Sequence, residues 1–326
     1  MKDIGLVGVP FSGKSTLFTA LTRAGAAGGR SNQAVVEVPD SRVERLGEIE
    51  RSRKLVHAQV RFVDVPGGTS AQAIAALRES DALCVVLRAF GAAADPAREL
   101  ESVRQDLILA DLAVVESAVE SARKRGKGGR TAVPELEALE RAHAALSEET
   151  LLSDAGLGAD DVSHLRGIAP LTLKPWVPVA NLEEGAELPA GLPDGTVAVY
   201  ASIEAETAGM DADEARELLT EFGVAEPGLD RVIAACYRAL DLITFLTTGE
   251  DETRAWEVRR GATAPEAAGA IHTDLQRGFI RAEVISYDEL VEAGSLAAAK
   301  AAGKLRVEGK DYVVREGDIL NIRFAV

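Results

Sequence analysis

One eight-residue motif, Gly8-Val9-Pro10-Phe11-Ser12-Gly13-Lys14-Ser15, restricts the fold of this 326-residue chain more than any other feature. It fits the pattern G-x-x-x-x-G-K-[ST]. An apolar run at residues 4–7 precedes it, and residues 16–21 continue it with a helical pattern. A short buried strand, a glycine-rich loop and a helix in this order form the phosphate-binding loop of α/β proteins. We therefore predict an α/β fold with a site for the phosphates of a nucleotide.

The motif also predicts which residues contact that nucleotide. Backbone N–H groups of the loop and the N-terminus of the following helix would surround the phosphates. The ammonium of Lys14 would reach the β- and γ-phosphate oxygens, and the hydroxyl of Ser15 would bind Mg²⁺. The predicted contact residues of this loop are Phe11, Ser12, Gly13, Lys14, Ser15 and Thr16.

A second strand pattern, at residues 60–63, ends in Asp64, and Gly67 follows three residues later. In proteins with a phosphate-binding loop, an aspartate at the end of a neighbouring strand holds Mg²⁺. We expect Asp64 to share the ion with Ser15, and the backbone N–H of Gly67 to lie beside the γ-phosphate. The alternative is that Asp64 is an ordinary turn residue at the end of a strand.

A third motif, Asn181-Leu182-Glu183-Glu184, follows an apolar strand. GTPases usually have N-K-x-D here, and that aspartate accepts two hydrogen bonds from guanine. Glu184 is one methylene longer and the lysine is replaced, so selectivity for guanine is not expected. Asn181 could instead meet the adenine amino group, or simply be a turn residue. Ser202 and Ile203, which follow a fourth predicted strand, are expected against the base.

Composition limits the classes of function. Lys and Arg number 36 and Asp and Glu 52, for a net charge of −16, which excludes nucleic-acid binding over the whole surface but not through a local patch. Cys84 and Cys236 lie in apolar segments, which predicts buried free thiols and favours a reducing cytoplasm. The apolar runs are too short to span a membrane, and the loop motif begins at Gly8, so we expect neither a membrane protein nor a signal peptide.

Two helical patterns separated by a glycine-rich break at residues 126–130 predict an antiparallel hairpin. The second helix opens at Pro134. The packing seam predicted for the first helix consists of Val103, Leu107, Ala110, Val114, Ser117 and Ser121. Five cations cluster at the tip of this hairpin, namely Arg123, Lys124, Arg125, Lys127 and Arg130. They either contact RNA phosphates or stabilise the C-terminus of a helix.

Taken together, these motifs resemble the Obg-like ATPase family, the YchF proteins. The resemblance extends nearly from end to end and is densest in the last third. The matching segments there are residues 226–233, 242–249, 254–256, 261–265, 271–274, 278–283 and 308–312. The N-x-x-E sequence at Asn181 is itself a mark of this family, which is similar to GTPases but favours ATP.

The resemblance implies three parts: a Ras-like P-loop NTPase (OBG-type G) domain in residues 1–97 and 166–241, an inserted helical hairpin in residues 98–165, and a TGS domain of ubiquitin-like (β-grasp) fold in residues 242–326. A single helix is predicted over residues 266–275, with His272 in a capping or packing role. The resemblance also implies Mg²⁺ and ATP as ligands, with GTP as an alternative. It implies the ribosome as a partner, which favours an RNA contact for the hairpin tip.

The two loops that contact the γ-phosphate in this family are shorter here. Residues 22–33 lack a Thr at the place where the family has one that closes over Mg²⁺, and Gly67 is followed almost directly by a helix that begins at Ala71. Phe11 replaces an Asn that helps to hold a monovalent cation in related enzymes.

We therefore predict a slow Mg²⁺-dependent ATPase that acts as a ribosome-associated regulator. The alternative is a hydrolysis-deficient nucleotide-binding module that presents helical and TGS surfaces to RNA or protein.

Overall fold

The computed structural model describes residues 1–25, 32–65, 67–68, 70–126, 133–224 and 227–325. The chain divides into two compact units. The first, here called the P-loop unit, comprises Met1–Val36 and Val60–Ala239, and the second, the C-terminal unit, comprises Glu37–Gln59 and Leu240–Val326. The division expected from the sequence assigned residues 37–59 to the first part, whereas the structure groups them with the C-terminal strands.

The described residues form twelve strands and thirteen α-helices. The strands are β1 (Lys2–Val7), β2 (Gln33–Glu37), β3 (Leu55–Val56), β4 (Gln59–Asp64), β5 (Ala82–Ala89), β6 (Trp176–Leu182), β7 (Val197–Val199), β8 (Leu242–Thr247), β9 (Thr253–Arg259), β10 (Phe279–Ser286), β11 (Arg306–Glu308) and β12 (Asp318–Phe324). The helices are α1 (Lys14–Gly25), α2 (Ser41–Glu50), α3 (Ala71–Leu77), α4 (Pro96–Gly126), α5 (Val133–Ser147), α6 (Ala159–Leu165), α7 (Ala201–Thr207), α8 (Ala212–Glu221), α9 (Gly228–Ala239), α10 (Ala264–Ile271), α11 (Thr273–Arg277), α12 (Tyr287–Ala293) and α13 (Leu296–Ala301). Short 3₁₀ helices occupy Arg166–Ile168 and Leu171–Leu173.

The P-loop unit is built on a six-stranded sheet in the order β2-β4-β1-β5-β6-β7. Strands β4, β1, β5, β6 and β7 run parallel to their neighbours. The continuous apolar sequence of β5 is explained by its central position, because residues 82–87 are fully buried. This sheet confirms the predicted α/β class. It also brings the carboxyl ends of β1, β4, β5 and β6, where the predicted motifs lie, to one edge.

Helices α4 and α5 pack against each other, as expected of a helical hairpin, but the predicted seam of α4 is wrong. Val103 and Leu107 are buried in the core cluster of the P-loop unit and not in the cluster that α4 shares with α5. Ser117 and Ser121 are exposed. The buried stripe instead continues through Asp111, Val115, Val119 and Ala122. Because a charged residue is rarely fully buried, residue type alone does not indicate Asp111 as a member of this stripe. In the structure that carboxylate has charged and polar partners, so the stripe passes through it.

The C-terminal unit contains a second six-stranded sheet, in the order β11-β10-β12-β8-β9-β3. Its core includes Phe245, Ala268, Val284 and Leu320, which places α10 against one face of the sheet. Strand β3 pairs in parallel with β9 and closes one edge. The sequence did not indicate that residues 37–59 would supply this strand.

The single helix predicted over residues 266–275 is wrong, because α10 and α11 are separated at His272. The backbone of this residue is extended, and its Nδ1 accepts a hydrogen bond from the N–H of Asp274 at 3.1 Å. The imidazole thus caps the N-terminus of α11, which confirms the capping role expected for His272.

Both cysteines, Cys84 of β5 and Cys236 of α9, are buried and free, as predicted. A hydrogen bond between the two side chains, together with burial, raises the pKa of the Cys236 thiol. Among the described residues, no helix combines the length and the apolar character needed to cross a membrane.

Candidate nucleotide-binding site

The loop between β1 and α1 has the backbone geometry of a phosphate-binding loop. The N–H of Ser12 donates to the carbonyl of Val9 at 3.2 Å. Gly13 has a φ of +85°, and a Cβ there would lie 2.0 Å from the Nδ2 of Asn181, so only glycine fits. Phe11 has a φ of +68°, which is rare for a bulky residue, and its side chain is 86% exposed at the tip of the loop.

A cleft of about 910 Å³ lies over this loop. It is lined by Gly8, Val9, Pro10, Phe11, Ser12, Gly13, Lys14, Ser15, Thr16, Asp64, Gly67, Gly68 and Phe90. The structure therefore brings all the predicted phosphate and metal contacts together in one place. The N-terminus of α1, which favours anions, opens into the same cleft.

Lys14 and Asp64 form an ion pair within the cleft, and the ammonium also donates to the carbonyl of Val65 at 3.0 Å. Their side chains are only 11% and 16% exposed, so the pair is partly shielded from water. Each partner has the charge that the predicted ligand requires. A phosphate would compete for the ammonium, and a divalent cation would compete for the carboxylate. The hydroxyl of Ser15 is exposed on the first turn of α1 and supplies a second hard oxygen donor.

Gly67 and Gly68 form part of the wall of the cleft with backbone alone, without side chains. Their φ angles are +103° and +59°, a region that glycine adopts without strain. A Cβ on Gly68 would lie 3.5 Å from the carbonyl oxygen of Gly8, so this segment lies close against the phosphate-binding loop. The N–H of Ser70 donates to the carbonyl of Gly67 at 3.0 Å, and its hydroxyl caps α3.

The Asn181 side chain occupies a different position from the one its proposed contact with adenine requires. It is 5% exposed, and both of its polar atoms are used inside the protein. Its Nδ2 donates to the carbonyl of Ser12 at 3.3 Å, and its Oδ1 accepts from the N–H of Ala201 at 3.1 Å. Asn181 thus connects the phosphate-binding loop to the start of α7, the loop expected to contact the base.

The other predicted base contacts are divided between surface and core. Glu184 and Ser202 are exposed. Ile203 is only 3% exposed and packs in a cluster with Leu219 and Val224, so its side chain presents almost no surface to a base. None of these three residues lines the cleft over the phosphate-binding loop.

The buried side chain of Glu204 stabilises the start of α7, the loop expected to contact the base. Its carboxylate accepts hydrogen bonds from the N–H groups of Tyr200 at 2.9 Å and Leu229 at 2.7 Å. Burial raises the pKa of this carboxyl group, although the backbone donors act in the opposite direction. The side chain therefore connects the start of α7 to the start of α9.

Phe90 lines the cleft directly after β5, although no sequence motif indicated it. Its ring lies 3.6 Å from the position that a Cβ on Gly13 would occupy. The available signal was topological, because ligands of parallel sheets bind at the carboxyl ends of adjacent strands. Phe90 follows the strand next to β1.

At the hairpin tip, each cation that the structure describes has an acidic neighbour. Arg123 pairs with Glu140 at 2.7 Å, Arg125 pairs with Glu135 at 2.6 Å, and Lys124 lies 3.6 Å from Glu120. Lys127 and Arg130 lie outside the described residues. Exposed ion pairs contribute little to stability, so these cations remain able to exchange their partners for phosphates.

Two family profiles match the chain. One is described as a 50S ribosome-binding GTPase and covers residues 3–116, and the other, the C-terminal YchF-GTPase family, is described as a protein of unknown function and covers residues 242–325. A protein of Pasteurella multocida named "Ribosome-binding ATPase YchF" is 39% identical over 358 residues, with 99% of each chain covered. This chain belongs to the YchF family.

Other members of the family match along nearly their whole length, and one of them has a solved structure of the same fold. The Bacillus subtilis protein of the same name is 37% identical over 361 residues, again with 99% of each chain covered. The solved structure of the Schizosaccharomyces pombe YchF GTPase is 28% identical and has a TM-score of 0.88, covering 99% of this chain and 97% of that one. The resemblance that the motifs indicated is thereby confirmed.

Proposed function

We propose that this YchF-family protein is a slow, Mg²⁺-dependent ATPase that acts as a ribosome-associated regulator in the cytoplasm. The observation that supports this proposal is the cleft, which unites Lys14, Ser15, Asp64 and Gly67 at the N-terminus of α1. The relatives named ribosome-binding ATPases, which match along their whole length, support the same activity and partner.

Phosphoryl transfer depends mostly on positioning and on neutralisation of charge. Lys14 would bind the β- and γ-phosphates, and the loop N–H groups would orient them. Ser15 and Asp64 would hold Mg²⁺, which neutralises phosphate charge when bound and takes its remaining ligands from phosphate and water. Gly67 would place its backbone N–H at the γ-phosphate.

Base preference is the finer part of the proposal. Glu184, exposed beyond β6, is too long to copy the two hydrogen bonds that an aspartate makes to guanine. We therefore propose that ATP is bound more tightly than GTP, with Ser202 and backbone groups near Asn181 in contact with the base.

A hydrolysis-deficient nucleotide-binding module is the second candidate. It is favoured by Gly67 and Gly68, which offer no side chain that could orient an attacking water. The same observation explains why the ATPase proposed here is slow.

Turnover of ATP with Mg²⁺, measured with and without ribosomes, tests the proposal. We expect Lys14→Ala to lower turnover by about 10²-fold or more, because it removes a charge that stabilises the transition state. Lys2→Ala is the matched control, since Lys2 pairs with Asp81 at 2.6 Å at the opposite end of β1. ATP that is bound but never hydrolysed, even with ribosomes, would instead establish the module.

We further propose that the hairpin tip, with Arg123, Lys124, Arg125, Lys127 and Arg130, contacts ribosomal RNA. Replacing Arg123, Lys124 and Arg125 together by Ala is expected to weaken ribosome association and to flatten its dependence on salt, because fewer counterions are released. Arg141→Ala, which removes an exposed cation elsewhere on the hairpin, is the control for cosedimentation at several salt concentrations. Unchanged affinity and slope would leave the tip as a stabilised helix end only.

A further inference from the structure

A buried polar cluster lies at the end of α3 opposite the nucleotide cleft. Arg78 directly follows α3, and its side chain is 17% exposed. One guanidinium nitrogen donates to the carboxylate of Asp111 at 2.6 Å and to the carbonyl of Ala169 at 3.1 Å. The other donates to the carbonyl of Ala110 at 3.0 Å. The side chain of Arg78 thus attaches the end of α3 to the hairpin helix α4 through two hydrogen bonds, and to the residue after the 3₁₀ helix Arg166–Ile168 through a third.

Asp111 has no exposed surface, and its second carboxylate oxygen is also fully used. It accepts hydrogen bonds from the backbone N–H and from the hydroxyl of Thr172, both at 2.7 Å. A buried carboxylate is tolerated only when it is paired and hydrogen-bonded in this way, and such networks hold their members in one geometry. We call Arg78, Asp111 and Thr172 the α3 anchor.

The other end of α3 carries the wall of the cleft. Ser70 caps the helix and binds the carbonyl of Gly67, and Gly68 lies against Gly8 of the phosphate-binding loop. The helix has seven residues and therefore spans only about 10 Å. Ile74 and Leu77 pack in one core cluster with Val103 and Leu107 of α4. Because α3 is short and well packed, a displacement of its C-terminal end would also displace its N-terminal end.

We propose that Arg78 is a positioning residue for ATP hydrolysis: the α3 anchor fixes α3 on the hairpin helix and so holds Gly67 and Gly68 at the place of the γ-phosphate. This inference rests on the proposed ATPase function. It assigns a role to residues outside every nucleotide-binding motif of the sequence. It also gives the hairpin a direct mechanical connection to the wall of the cleft.

The test compares Asp111→Asn, Arg78→Lys and Thr172→Val with the matched control Arg141→Lys. Arg141 pairs with Asp161 on the same hairpin and does not belong to the anchor. Three quantities are measured on the full chain: kcat with the KM for ATP, the ATP dissociation constant, and the rate of amide hydrogen exchange at residues 67–77. Thermal unfolding is recorded for each variant.

For Asp111→Asn we expect kcat to fall by about 10- to 100-fold, because small displacements of positioning groups have effects of this size. The ATP dissociation constant should change little, since Lys14 and the loop are untouched. Exchange at residues 67–77 should accelerate, while the control variant matches the wild type in every measurement. Arg78→Lys keeps the charge but offers one nitrogen to three acceptors, so it should have an effect of similar size in the same direction. Thr172→Val removes only the hydroxyl bond to Asp111 and should have a smaller effect.

Two results would overturn the inference. One is unchanged kcat and unchanged exchange at residues 67–77 in all three variants of an active enzyme. The other is a parallel loss of kcat, ATP affinity and thermal stability, which indicates a merely structural role. If the wild type does not hydrolyse ATP, the proposed function fails, but hydrogen exchange with ATP bound still decides whether the anchor positions Gly67 and Gly68.

Discussion

The phosphate side and the base side of the nucleotide site are built in different ways. On the phosphate side, loop backbone, the exposed Ser15 hydroxyl and the Lys14–Asp64 pair all face the cleft. On the base side, the polar atoms of Asn181 and Glu204 are occupied by backbone groups of the protein itself. The polar groups of the phosphate side are therefore accessible to a ligand, whereas those of the base side form hydrogen bonds that hold the loops of the protein in place.

This difference explains why affinity for phosphates and choice of base should respond differently to mutation. Phosphate groups are recognised by backbone N–H donors, which a side-chain replacement does not remove. The base-side loop depends on a few buried side chains that connect it to the rest of the unit. Because Asn181 connects the loops of both sides, it offers the sharpest test of the comparison.

Replacing Asn181 by Ala is expected to weaken binding of ATP and of inorganic triphosphate alike, each by about tenfold or more. The physical reason is that the carbonyl of Ser12 and the N–H of Ala201 both lose their partner, and unpaired buried polar groups are costly. Calorimetric titration with both ligands measures the effect, with Glu187→Gln, at an exposed position of the loop after β6, as the control. If triphosphate binding is unchanged while ATP binding falls, Asn181 is a base contact rather than a connector, and the comparison is wrong.

The phosphate side could be predicted from the sequence because its motif is local. Residues 4–21 specify a strand, a turn with positive φ angles and a helix within one short segment. The contacts on the base side are not local. Asn181 and Ser12 are 169 residues apart, and Phe90 reaches the loop only because β5 is the neighbour of β1 in the sheet. Such contacts depend on the order of strands, which a residue pattern does not specify.

The hairpin shows the same limit. Its two helices follow from periodicity, but the seam of α4 passes through Asp111, which residue type alone places at the surface. Arg78, its partner, is 33 residues away in the sequence. In the C-terminal unit, strand β3 is supplied by a segment nearly 200 residues before its neighbour β9, as Leu55 and Thr253 show.

Glu204 should make the stability of the base side depend on pH. Burial raises the pKa of Glu204 in the folded protein above its ordinary value. Between those two values the folded state binds more protons than the unfolded state. The free energy of unfolding should therefore fall as pH rises through that interval, and this contribution is fully present only below the ordinary value.

Glu204→Gln should remove this part of the pH dependence and should also destabilise the protein by about 1–3 kcal/mol, because an amide NH₂ would face a backbone N–H donor. Urea denaturation at several pH values measures both effects. Glu206→Gln, at an exposed position of the same helix, is the control. A pH profile that is identical in Glu204→Gln and in the wild type would contradict the role assigned to this carboxylate.

The smallest expected effect concerns the choice of base itself. Glu184→Asp restores the side-chain length found in the N-K-x-D motif, although without its lysine. We expect the affinity for GTP relative to ATP to rise by about fivefold, since one hydrogen bond contributes about 1 kcal/mol. Equilibrium titration of both nucleotides measures the ratio, and Glu183→Asp, at the exposed preceding position, is the matched control. Tight GTP binding with weak ATP binding in the wild type would overturn the interpretation of Glu184. An unchanged ratio in Glu184→Asp would instead show that backbone groups around Asn181 alone distinguish the two bases.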